Sequence, residues 1–151
     1  MNGDSSARLI RHQLSKVGYE VYRSRLKEVF DVDGYWVPLN SNLVRSQTIH
    51  FQAEVLKIVD NKALREFLLL RTGDRCVELS EDGEGFEIDV TELDIKGYSG
   101  LELFFCDRSV SWLIYCSHEG TVTFAGEVLI AFMRERFADR PELIDPWFTT
   151  S

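Results

Sequence analysis

The feature that most constrains the fold of this chain is the stretch WLIYCSHEGTVTFAG, residues 112–126. Residues 112–116 are apolar at successive positions, so a strand there presents apolar side chains to both faces of a sheet and belongs near its centre. Ser117, His118, Glu119 and Gly120 then have turn chemistry, residues 121–124 return as a second strand, and Gly126 hands the chain to a helix.

Upstream the apolar period is also two. Cys76, Val77 and Leu79 precede Glu81-Asp82-Gly83-Glu84-Gly85, and Phe86, Ile88 and Val90 follow, which is a hairpin across an acidic glycine-rich turn. Leu101, Leu103 and Phe105 alternate with Glu102 and Phe104 as a further strand. Helical spacing appears on either side of this β-rich part. Ile10, Leu14, Val17 and Val21 form one stripe, Tyr22, Leu26, Val29 and Phe30 a rotated one, and His12 falls within that first predicted helix. Ala63, Leu64, Phe67 and Leu68 mark a helix capped by Asp60 or Asn61 and stopped by Gly73, and Val128, Leu129, Phe132, Met133 and Phe137 mark a last one before Pro141. Residues 48–59 fit helix or strand, with helix favoured; Tyr35, Trp36, Val37 and Leu39 read as a short strand that Pro38 confines to an edge or an end. The tail keeps Leu143, Ile144, Trp147 and Phe148, too apolar for a free end.

This order predicts an α+β fold: an antiparallel sheet of four to six strands with helices packed mainly on one face. The 151 residues fit a single domain, 1–151, with an amphipathic helical segment over 1–30, a β-rich core over 74–126 and a C-terminal helix over 127–139. Hydrophobic residues at 44% give it enough apolar surface to fold without disulfides or a structural metal. Residues 1–14 lack a secretory apolar core and no run approaches the ~20 apolar residues of a membrane span, so a cytoplasmic location away from membranes is expected. Cys76, Cys106 and Cys116 lack CxxC spacing and are expected to be reduced thiols.

Charge separates the function classes. The net charge is −8, yet residues 1–30 carry six Lys or Arg against three acids, while residues 74–107 carry eleven acids against Arg75 and Lys96 alone. A surface of that sign repels phosphate, so nucleic acid is not expected as a partner and a basic protein is. The partner-binding residues expected on this ground are Glu81, Asp82, Glu84, Glu87 and Asp89. They lack the twelve-residue spacing of a calcium loop.

Catalytic fingerprints are weak. Ser117-His118-Glu119 cannot act as a contiguous triad, because neighbours on a strand point to opposite faces. Cys116 and His118 share a face at about 6.6 Å along a strand, which makes them the candidates for cysteine-dependent or metal-assisted catalysis, with His50 as a conceivable further zinc ligand. No nucleotide, hydrolase or metalloprotease motif surrounds them, and neither cofactor nor metal is expected.

The segment LELFFCDRSVSWLIYCSHEGTVTFAG, residues 101–126, resembles the C-terminal signature of a group of small uncharacterised bacterial α+β proteins. In that signature Trp-Leu-x-x-Cys or Tyr precedes a polar turn with His, then a β segment and glycine; Trp112, Leu113, Cys116, His118 and Gly126 carry the match. Some such proteins resemble immunity proteins, so the resemblance implies toxin neutralisation. The leading expectation is therefore a non-enzymatic interaction domain with an acidic surface. The alternatives are an enzyme using Cys116 and His118, or a structural subunit or ligand-binding regulator using Trp36, Trp147 and Phe148.

Overall fold

The structure, a computed structural model, describes residues 11–32, 48–95 and 100–146. Among these residues seven strands form one sheet: β1 (His12–Gln13), β2 (Thr48–Gln52), β3 (Arg75–Ser80), β4 (Gly85–Asp89), β5 (Leu103–Cys106), β6 (Leu113–Cys116) and β7 (Thr121–Ala125). Their spatial order is β1-β4-β3-β5-β6-β7-β2, and each pairing is antiparallel. The described α-helices are α1 (Lys16–Phe30), α2 (Ile58–Thr72) and α3 (Glu127–Arg136). The fold is α+β.

Both faces of the sheet are covered. Helices α2 and α3 pack over Ile49, Phe51, Phe105, Ile114, Cys116, Val122 and Phe124, with Leu64, Leu68, Leu129 and Met133 supplied by the helices. Tyr19 and Leu26 of α1 pack on the other face, over Val77, Leu79, Phe104, Leu113 and Tyr115. That two-sided cover explains why all four residues of β6 are buried: each apolar side chain meets a layer on its own side. Full burial of one such side chain contributes about 1.5–3 kcal/mol, so this strand is a principal source of stability.

Close approach governs the exit from β7. A Cβ on Gly126, whose φ is 105°, would lie 2.6 Å from the Ser111 carbonyl oxygen and 2.9 Å from the Trp112 Cα. Only glycine lets α3 start against that loop. The loop itself is tied by Asp107, whose Oδ1 accepts from the amides of Ser111 (2.6 Å) and Trp112 (3.3 Å).

Several expectations are corrected. Among the described residues the sheet has seven strands, more than four to six, because β1 is too short to show a period and β2 lies in the stretch where a helix was favoured. Thr48–Gln52 is a strand because it pairs along its full length with β7, and only a 3-10 turn, Ala53–Val55, follows. The first helix begins at Lys16, capped by the Ser15 hydroxyl, so His12 lies on β1. Of its two predicted apolar stripes, the first is exposed at Val17 (74%) and Val21, whereas the rotated one packs inward through buried Leu26 with Tyr22 and Phe30 against the same cluster, joined by buried Tyr19. The expected strand at residues 35–39, together with Trp36, Trp147 and Phe148, falls outside the described residues. No helix among those residues is long and apolar enough to cross a membrane.

Candidate functional site: the acidic end of the sheet

Antiparallel pairing gathers three acidic segments at one end of the sheet. Ser80 is opposite Leu103, and Leu103 is opposite Cys116, so the β3–β4 turn, the residues entering β5 and the β6–β7 turn are neighbours there. The first turn is held by Gly83 N–H donating to the Ser80 carbonyl (3.2 Å), the other by Ser117 N–H donating to the Thr121 carbonyl (2.9 Å) and Gly120 N–H to Ser117 (3.3 Å). Those bonds leave Glu81, Asp82, Glu84 and Glu119 exposed at the turns. None of the four pairs with a lysine or arginine among the described residues.

The five residues expected to bind a partner do not stay together. Glu81, Asp82 and Glu84 sit on the turn, while Glu87 lies further along β4 and is neutralised by Arg108 at 2.8 Å and Arg75 at 3.8 Å. Hydrogen bonding from Arg108 lowers the Glu87 pKa from its ordinary value, against a smaller opposing effect of burial. Asp89 is committed locally, accepting from the Thr91 amide at 2.9 Å and the Thr91 hydroxyl at 2.6 Å. Glu81 and Asp82 each accept one backbone amide as well, from Glu102 (2.9 Å) and Glu84 (3.2 Å), but their carboxylates stay exposed and, among the described residues, unpaired with any lysine or arginine, whereas Glu87 is neutralised and Asp89 is only half-exposed.

A residue that sequence reasoning overlooked lies at the centre of the acidic end. Glu102 is 1% exposed. Its main chain is clamped to Glu81: Glu102 N–H donates to Glu81 Oε2 (2.9 Å) and Glu81 N–H donates to the Glu102 carbonyl (3.0 Å). Glu102 Oε2 accepts from the His118 amide at 2.9 Å and contacts the His118 ring at Nδ1. Glu102 Oε1 is buried without a hydrogen-bond partner among the described residues. The only sequence signal for this arrangement is an acid placed one position ahead of an apolar strand.

His118 is half-buried, with Nε2 3.7 Å from Glu119 Oε2. Its pKa is raised above 6.5, chiefly by the hydrogen bond to Glu102; burial opposes the shift, and the charges of Glu102, Glu119 and Glu81 add to it. The acids beside the ring favour its charged form relative to that of an ordinary histidine.

The other candidates fall elsewhere. Cys116 is buried in the layer under α2 and α3, while the His118 ring turns to Glu102. His50 is opposite Thr123, which is opposite Tyr115, so it lies on the α1 side of the sheet, away from Cys116. Both of its ring nitrogens are engaged, by the hydroxyls of Thr48 and Thr123 at 2.9 Å each. The Ser117 hydroxyl bonds to Thr121 at 2.7 Å. Burial pushes the Cys76 thiol up to about 12 and raises Cys106 further, which makes both poor nucleophiles. Among the described residues no group of three or more His, Cys, Asp or Glu is placed to hold a metal ion.

Comparison of the chain with protein-family models, with curated proteins and with solved structures returned no match.

Proposed function

We propose that this chain is a non-enzymatic protein-interaction domain that receives a basic partner at the acidic end of its sheet. The observation that carries the reading is the convergence of Glu81, Asp82, Glu84 and Glu119 on one end of a packed sheet, with no lysine or arginine paired to them among the described residues. Other acids in the same part of the chain are neutralised internally, as Glu78 is by Arg11 at 2.6 Å and Glu87 by Arg108. Carboxylates left unneutralised on turns steer a cationic surface and set its register. Turns anchored in a sheet also lose little freedom on binding, which favours recognition. Toxin neutralisation is one case of this reading, with a basic toxin as partner.

The test is the affinity for a lysine- and arginine-rich peptide at two salt concentrations, for the wild type and a Glu81→Ser/Asp82→Ser/Glu84→Ser variant. Binding that weakens with salt and falls about three- to a hundredfold in the variant is expected, since each of the three lost rim charges contributes about 0.2–1 kcal/mol. Equal affinities would remove this surface from the account.

A further inference from the structure

Buried carboxylate oxygens are ordinarily satisfied, because an unmade hydrogen bond at a buried polar group costs about 1–3 kcal/mol, more when the group is charged. Glu102 departs from that rule at Oε1, although its backbone is fixed on both sides by Glu81 and its other oxygen is fully used by His118. The carboxylate is therefore held in place with half of its acceptor capacity idle. The half-buried ring of His118, part of a short turn and 35% exposed at its side chain, lies against its other oxygen.

We propose that Glu102 is the anchor for one arginine of the basic partner, and that the His118 ring holds the place of that guanidinium in the free protein. The inference rests on the acidic-end reading above and specifies its central contact. A planar guanidinium donates two parallel N–H bonds to the two oxygens of one carboxylate, which an imidazole cannot do. It would satisfy Oε1 and replace the ring at Oε2, while the His118 amide keeps its bond of 2.9 Å. The displaced ring swings outward on the exposed side of the turn. A buried charge pair ringed by exposed charges has the anatomy of an interface hot spot.

The exchange is linked to protons. Among the described residues, the charged groups facing His118 include Glu102 from the segment entering β5, Glu81 from the β3–β4 turn and Glu119 from its own turn. A cationic ring holds Glu102 against the arginine and repels it, so affinity rises with pH as the ring loses its proton. A lysine, with a single-point ammonium, fits the two-oxygen acceptor less well than an arginine.

The full chain is titrated with a hexa-arginine peptide and a hexa-lysine peptide at pH 6 and pH 8.5, in the wild type, Glu102→Gln and His118→Ala, with the His118 ring followed by NMR. Hexa-arginine is expected to bind the wild type more tightly at the higher pH and more tightly than hexa-lysine. Glu102→Gln should weaken it about tenfold or more, the scale of one charge-assisted hydrogen bond. His118→Ala should bind at least as well as the wild type at pH 6 and lose most of the pH dependence. In the wild type the His118 pKa should return towards its ordinary value when the peptide binds, a readout that holds even if Glu102→Gln fails to fold. An unchanged His118 titration in the bound state would overturn the anchor, as would equal affinity of wild type and Glu102→Gln. If the turn serines still weakened the peptide in that event, the acidic-end reading would stand without the anchor; if neither peptide bound, both would fall.

Discussion

At the scale of single residues, the contact between Glu102 and His118 makes a measurable claim about pH. The folded protein holds the His118 proton more tightly than an ordinary histidine, so the contact contributes stability that is fully present below the unfolded-state pKa near 6.5 and is lost as pH rises through the folded-state value. Stability of the wild type relative to His118→Gln, measured by urea denaturation, should therefore be greatest at acid pH and narrow as pH rises above 6.5. A difference that stayed constant across that range would show that the ring carries no shifted proton. Residue identity made some of this chemistry legible and hid the rest. The turn character of Ser117, His118, Glu119 and Gly120 could be read directly, because those side chains favour turns for local reasons. The partner of His118 could not, because Glu102 lies sixteen positions away and meets it only through the β5–β6 register. Reading the histidine against its strand neighbour Cys116 was the natural error of a one-dimensional view.

At the scale of elements, α2 and α3 form an antiparallel pair with its own fastening. Arg136 Nε donates to Asp60 Oδ1 at 2.8 Å, Asp60 Oδ2 accepts from the Lys57 amide at 2.9 Å, and Phe67 stacks on Phe132 with centroids 4.2 Å apart. Asp60 thus caps one helix and pins another. Asp60→Ala removes both bonds and should cost about 2 kcal/mol, between the loss of a cap and the breaking of a buried pair, since Arg136 remains partly exposed. Chemical denaturation would measure it, and a loss below about 0.5 kcal/mol, the range of an ordinary surface substitution, would show that the pin is idle. The elements most legible from sequence were those whose apolar period is local, namely α2, α3 and the β3–β4 hairpin. Helix α1 was legible in its second half, where Leu26 of the rotated stripe is buried, but not in its first: valines at 17 and 21 suggested an inner face there, yet the sheet receives Tyr19, whose hydroxyl reaches the Ser80 carbonyl at 2.6 Å. Strand β2 was missed because a five-residue strand at the far side of the sheet gets its identity from β7, a partner some seventy residues on.

At the scale of the whole molecule, the sheet order separates charge along the strands. One end carries the turns of Glu81, Asp82, Glu84 and Glu119 around buried Glu102. Towards the other end Arg75 and Arg108 neutralise Glu87, and Asp107 is absorbed by its own loop. The sequence showed that residues 74–107 were acidic, though not that pairing would spend some of those charges and concentrate the others. The most direct measurement of the central claim is amide chemical-shift mapping of the full chain titrated with a basic peptide. Shifts confined to residues 81–84, 100–103 and 117–120 are predicted, whereas shifts centred on Arg71, Arg75 and Arg108, or spread evenly over the molecule, would contradict it.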